Sequence, residues 1–277
     1  MKESLSVNPK KSFICKTLSV KSAGEDTVNL EFLWPGPLPK SGQFFLIKPR
    51  RTGVFLGRPI SVAGYSIAKN DENEGSGAAQ ACVLSFLVAQ RGMGSRELMS
   101  LCPGEEAELI GPLGNYWTGM EIPHGKTALV GGGIGIAPLL AYAAEHGDKA
   151  IDFYAGFRSS SLGADYLSSK LGLMQNAKPI SLTISTEDGS FGLKGFITSF
   201  FNPSSYSAVL ACGPEAMLKA VVQACMAAKT PCFISTERHM ACGVGACLGC
   251  TVKTHGGNLC CCTDGPIFNA REIIFED

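Results

Sequence analysis

Cys242, Cys247 and Cys250 are spaced C-x4-C-x2-C within ACGVGACLGC, and Cys262 opens the segment CTDGP. Three close thiolates with a fourth set apart match the plant-type spacing that holds a [2Fe–2S] cluster. Two irons can be shared only where the backbone wraps tightly around them. Gly243, Gly245 and Gly249 permit that path and leave amides to donate to sulfur. Structural zinc sites usually pair two C-x2-C knuckles. Here one gap is four residues and the last cysteine stands alone, so one-electron chemistry on iron is favoured over zinc.

Further candidates precede this tail. In GGGIGIAPLL the glycines Gly131, Gly132, Gly133 and Gly135 follow an apolar run and open a helical pattern. Such a turn lets backbone amides approach a pyrophosphate at a helix N-terminus. It is an imperfect G-x-G-x-x-G, because Ile136 stands where the last glycine belongs. Cys212, Gly213 and Pro214 lie in ACGPEAM at the end of a predicted strand, where doubly wound sheets place ligands. There a thiol can sit beside a nicotinamide ring, although a packed thiol is the bland alternative. Arg58, Pro59, Ile60 and Ser61 combine a cation, a rigid turn and a hydroxyl suited to a flavin phosphate and ring edge. Gly94 and Ser95, in RGMGS, offer an amide and a hydroxyl for a second phosphate contact.

Three kinds of element must position these groups. Up to about Trp117, short apolar runs such as TVNLEFLWPGPLP, GQFFLIKP, RPISVAGYS, ACVLSFLVAQ and AELIGPLGN alternate with turn residues, which predicts an antiparallel barrel. KNDENEGSGA (69–78) reads as a hairpin loop, residues 96–100 as a short helix, and GPLGN as a tight turn closing the barrel. After Gly119 the rhythm becomes strand then helix. TALVGGG, AIDFYAGF, PISLTIST, SAVLACG and CFIST are the strands; helices are expected over IAPLLAYAAEHG, ADYLSSKLG, LKGFITSFF and PEAMLKAVVQACMAAK. That pattern predicts a parallel doubly wound sheet. The expected division is a β-barrel over 1–118, an α/β domain over 119–235 and a small cysteine-rich module over 236–277.

Composition narrows the functional classes. Lys plus Arg and Asp plus Glu each number 24, so no nucleic-acid or anionic-membrane surface is expected. The uncharged stretch from Thr127 to Ala144 contains glycines and Pro138 and reads as strand, turn and helix, not as a membrane span. The N-terminal residues lack the apolar core of a signal peptide, and the 12 cysteines follow no disulfide framework, so a reducing cytoplasmic setting is expected.

The order RPIS, GMGS, GPLGN, GGGIGIAPL, ACGPEAM resembles the ferredoxin–NADP reductase superfamily. STERHMACGVGACLGC followed by CTDGPIFNAREI looks like the electron transfer subunits of type B, NAD-dependent dihydroorotate dehydrogenase. The resemblance implies FAD, a [2Fe–2S] cluster and NAD as electron acceptor. It also implies an FMN-containing dihydroorotate dehydrogenase catalytic subunit as partner, in a two-plus-two heterotetramer serving pyrimidine biosynthesis. Electrons would pass from that FMN through the cluster and FAD to NAD.

FAD contacts are implied at Arg58, Pro59, Ile60, Ser61, Gly94 and Ser95, and along Leu87, Val88 and Ala89. Val88 and Ala89 stand where the family often has a Tyr-Arg pair, and Ser95 where Thr is usual. Cluster ligands are implied at Cys242, Cys247, Cys250 and Cys262; Cys262 is preferred to Cys260 and Cys261 because it alone stands one residue before Asp-Gly-Pro. The choice of NAD rests on the resemblance, since no acidic residue closes the second strand of the α/β domain and Arg158 stands there instead. Rival readings are a reductase subunit for a hydrogenase, transhydrogenase or oxygenase, and a zinc-stabilised nucleotide-binding regulator.

Overall fold

A computed structural model describes residues 11–51, 53–67, 81–146, 150–175 and 180–275. The hairpin loop expected over 69–78 lies outside these residues.

Six strands close the expected barrel: β1 (Lys11–Gly24), β2 (Thr27–Trp34), β3 (Phe44–Pro49), β4 (Arg58–Ile67), β5 (Cys82–Ala89) and β6 (Glu106–Leu113), in the order β1-β2-β5-β4-β3-β6. Burial alternates residue by residue along β6, as the period-two geometry of a strand requires when one face meets a core. The inward set includes Leu30, Phe32, Trp34, Phe45 and Phe86, with Trp34 packed edge-on against Phe45. The short helix α1 (Met93–Met99) follows β5 and begins three residues before the sequence-based expectation.

The second half is a sheet of parallel strands: β7 (Thr127–Gly132), β8 (Ile151–Phe157), β9 (Ile180–Thr186), β10 (Leu193–Lys194), β11 (Ala208–Cys212) and β12 (Cys232–Ser235). Helices α2 (Ile136–Glu145), α3 (Ala164–Gln175) and α4 (Glu215–Ala228) form its crossovers. Thr127–Ala144 is therefore strand, 3-10 turn and helix, as expected. One expected helix is corrected. LKGFITSFF forms the two-residue strand β10 and a 3-10 turn over Ile197–Phe200, because Gly195 at φ 122° breaks any helical path between them.

The tail forms a hairpin, β13 (Thr251–Thr254) and β14 (Gly257–Cys260), then β15 (Ile267–Asn269). β15 pairs antiparallel with β12, completing the sheet order β10-β9-β8-β7-β11-β12-β15. The barrel and sheet meet where α2 lies across β4. Glu145 at the end of α2 accepts hydrogen bonds from the Ser41 amide (2.8 Å) and hydroxyl (2.6 Å) on the barrel side. Among the described residues no helix is long and apolar enough to cross a membrane.

Candidate functional site

The cysteine loop turns its amides toward sulfur. Val244 and Cys247 N–H groups donate to Cys242 Sγ (3.4 Å each), and the Gly245 N–H donates to Cys262 Sγ (3.2 Å). The Val244 amide is the largest of the influences that pull Cys242 down to about 6, so its thiolate is the favoured form at neutral pH. Cys250 and Cys262 are buried, while Cys247 is exposed at the outer side of the loop. Burial and the neighbouring Cys250 push Cys262 up to about 12, so its ionisation calls for a cation at the site. The chemistry of this donor set fits an iron–sulfur cluster: four thiols lie on one loop and the segment against it, and backbone amides donate to the sulfurs of Cys242 and Cys262. Among the described residues no three His, Cys, Asp or Glu side chains converge as a site for a single metal ion.

The three contiguous cysteines separate by direction. Cys261 is fully buried and its thiol donates to the Thr236 carbonyl (3.4 Å), facing the sheet. Cys260 lies in the β14 ladder, half-exposed, with its amide bound to Asp264 Oδ2 (2.7 Å) and its thiol beside Cys250. Only Cys262 of the three receives an amide from the cysteine loop among the described hydrogen bonds.

What seats this loop on the barrel is Gly243. Its φ of 65° is left-handed, and a Cβ there would lie 2.7 Å from Leu46 Cδ1 on β3 and 3.1 Å from Leu113 Cδ1 on β6. The buried cysteines, those two leucines and the sheet residues Ala211 and Ile234 share one apolar cluster. The cysteine loop thus touches the barrel and the sheet at once.

On the barrel, Arg58–Ser61 occupy the start of β4 and are all half-buried. The Arg58 guanidinium donates to the Leu56 carbonyl (2.8 Å) and lies directly over Gly94, where a Cβ would collide with it. Ser95 is committed locally: its Oγ accepts from the Arg91 (2.8 Å) and Gly92 (3.1 Å) amides and donates to the Gly92 carbonyl (3.0 Å). Leu87 packs into the interface with the sheet, Val88 points into the barrel core, and Ala89 is half-buried. Of Val88, only the main chain is available to a ligand outside the barrel.

In the sheet, Cys212 is the register partner of Gly131 on the adjacent parallel strand, so the two loops leave at the same level. A Cβ at Gly135 would strike the Cys212 carbonyl, and one at Gly132 would lie 2.7 Å from Pro214 Cδ. Gly131–Gly135 and Cys212–Pro214 therefore form one continuous rim at the carboxyl ends of β7 and β11, the edge at which doubly wound sheets place their ligands. The Cys212 thiol is 2% exposed and belongs to the core beneath that rim. Burial, and then the charge of Glu237, push its pKa far up, so it acts as a neutral thiol.

Two residues escaped the sequence reading. Glu237 follows β12 closely; the protein around its carboxyl pushes its pKa up against the pull of Arg91, although much of its surface is open. Its signal was an acidic residue just beyond a strand's carboxyl end. Asn115 binds the backbone of the tail, and no sequence pattern signals that role.

The geometry agrees with the comparisons. A family model described as the iron–sulfur cluster binding domain of dihydroorotate dehydrogenase B matches residues 237–274. A dihydroorotate dehydrogenase B (NAD+) electron transfer subunit from Clostridium perfringens is 42% identical over 241 residues, covering 85% of this chain and 87% of that protein. Its counterpart from Caldanaerobacter subterraneus subsp. tengcongensis is 35% identical over 268 residues, covering 94% and 97%. In fold, the chain is similar to a structure of NADH-dependent reduced ferredoxin–NADP oxidoreductase (TM-score 0.75, 23% identity, 94% of this chain and 89% of that one). It is also similar to a ferredoxin NADP+ reductase from Neisseria gonorrhoeae with bound FAD and NADP (TM-score 0.60, 18% identity, 78% and 91%). Barrel, parallel sheet, cysteine loop and sequence agree: the chain belongs to the family of dihydroorotate dehydrogenase B (NAD+) electron transfer subunits.

Proposed function

We propose that this chain passes electrons from a catalytic subunit that oxidises dihydroorotate to NAD+, serving pyrimidine biosynthesis. The observation that carries this reading is the seat of the cysteine loop directly on the outer wall of the barrel, through Gly243 against Leu46 and Leu113. When bound, the [2Fe–2S] cluster supplies one-electron exchange and FAD converts single electrons into hydride transfer.

The protein's part is to bind and orient. Cys242, Cys247, Cys250 and Cys262 are the cluster ligands. Arg58 brings a fixed positive charge for the FAD phosphates, with Gly94 leaving room beneath its guanidinium. Pro59, Ile60 and Ser61 line the flavin along β4; Leu87 and Ala89 flank it with side chains and Val88 with main chain. Ser95 shapes the turn ahead of α1 by holding the Arg91 and Gly92 amides. Gly131, Gly132, Gly133 and Gly135, with Gly213 and Pro214, form the rim for the dinucleotide. The working divisions are 1–118 for FAD, 119–235 for NAD and 236–277 for the cluster, with β15 of the last part closing the sheet of the second. The partner is an FMN-containing catalytic subunit in a two-plus-two assembly, and the setting is cytoplasmic.

The test is anaerobic co-purification with the catalytic subunit. Flavin bands above a broad iron–sulfur absorption, and NAD+ reduction that depends on dihydroorotate, are the expected results. A colourless, iron-free protein that still supports full coupled turnover would overturn the reading.

Cys212 is proposed to shape the floor under the nicotinamide as a neutral, packed thiol. Cys212→Ala should slow hydride transfer from NADH while leaving FAD and iron content intact, measured by stopped-flow bleaching of the flavin band. An unchanged rate would remove Cys212 from the reaction.

A further inference from the structure

The GPLGN stretch expected as a tight turn is corrected: residues 111–113 end β6, and Asn115 stands two residues beyond it, with both polar atoms of its side chain bonded to the tail and Met120 Sδ 4.0 Å from its Nδ2. Its Nδ2 donates to the carbonyls of Ile267 (2.7 Å) and Asp264 (3.0 Å), and its Oδ1 accepts from the Ile267 amide (3.0 Å). Its own amide donates to the Gly265 carbonyl (2.6 Å). The carboxamide thus meets both backbone groups of Ile267, as a neighbouring strand residue would. Asn is suited to this: Asp lacks the donors, and Gln places its amide one methylene further out.

The segment held in this way begins directly after Cys262 and Thr263 and continues into β15. Pro266 within it accepts the Thr236 amide (2.9 Å), fixing the same stretch to the end of β12. On the barrel side, the Gly114 carbonyl accepts from Gln43 Nε2 (3.0 Å), which holds the turn that carries Asn115. The Asn115 side chain therefore supplies three of the hydrogen bonds that join the barrel to the segment following the fourth cysteine.

We propose that Asn115 is a positioning residue for electron passage between flavin and cluster: it fixes the register of the 262–267 segment against the barrel and so the separation of the two centres. This rests on the function proposed above. One NADH delivers two electrons and a proton-equivalent as hydride, enough to reduce one flavin or, singly, two clusters. The two half-reactions can be timed separately in the intact complex.

The experiment compares the wild-type complex with Asn115→Asp, measuring iron and FAD content, flavin bleaching by NADH, the rise of the reduced-cluster EPR signal, and hydrogen exchange at the Ile267 amide. Iron, FAD and flavin bleaching should be unchanged, while the EPR signal rises at least about tenfold more slowly, the scale on which residues supporting metal ligands act. In Asn115→Ser, which loses the acceptor for the Ile267 amide as well as both donors, that amide should exchange faster. Asn115→Ser carries no charge and removes the acceptor as well as the donors, and its EPR rise decides the matter if Asn115→Asp does not fold. An unchanged EPR rise, or an equal loss of both half-reactions together with iron and FAD, would overturn the proposal. A wild-type complex that yields no EPR signal with NADH would instead defeat the functional reading on which it rests.

Discussion

Cys247→Ser is expected to abolish NAD+ reduction by dihydroorotate while NADH oxidation by an artificial acceptor such as ferricyanide continues. Cys247 sits at the exposed side of the loop, where a serine hydroxyl fits sterically but is a poor ligand for iron. The barrel rim at Arg58 and the glycine rim at Gly131–Gly135 are remote from this change in sequence and belong to other elements. Loss of the cluster therefore cuts the route to the partner and leaves the flavin and nucleotide sites whole. Cys262→Ser should behave in the same way. Cys261→Ser, whose thiol faces Thr236, and Cys260→Ser, whose residue belongs to the β14 ladder, should retain iron and coupled turnover. Iron analysis with the coupled assay decides the matter, and undiminished turnover in Cys247→Ser would refute the assigned ligand set.

Gly135→Ala is the second change with a large expected effect. Its Cβ would be driven into the Cys212 carbonyl and would lie 2.7 Å from the Gly213 nitrogen, both of them backbone atoms. Neither can retreat easily, because Cys212 is locked in register between Gly131 and Ser235. Overpacking of this kind costs about 1–3 kcal/mol, and in a protein of this size each kcal/mol lowers Tm by roughly 2–4 °C. Prying the two loops apart also misplaces the nicotinamide. The rate of flavin reduction by NADH should fall on the order of tenfold or more, with FAD and iron retained. Equal NADH kinetics in Gly135→Ala and wild type would show that the rim does not position the nucleotide.

The barrel strands and the five main parallel strands were legible because each carries a local signal. β6 alternates in burial, and β7 and β11 are buried throughout, as central parallel strands are. LKGFITSFF misled because Leu193, Phe196, Ile197 and Phe200 mimic helical spacing, yet Leu193, Phe196 and Phe200 are all exposed. β15 has three residues, too few for any period to show. The outcome at Val88 was equally hidden, since facing the barrel core or its outer wall depends on strand register. Spacing singled out the cysteine loop and the two glycine rims. The approach of the cysteine loop to the barrel, through Gly243 on Leu46, and of the two rim loops to each other, through Gly135 on Cys212, is a property of the fold that neighbouring letters do not carry.

The placement of β15 at the rim of the parallel sheet has a consequence for biogenesis. A nascent chain emerges from the ribosome N-terminus first, so β12 waits with its outer hydrogen-bonding groups bare until residues 267–269 arrive. A bare sheet margin invites pairing with other chains. Pairing with residues 267–269 thus covers a margin that β12 would otherwise leave bare, and the same stretch anchors the redox tail.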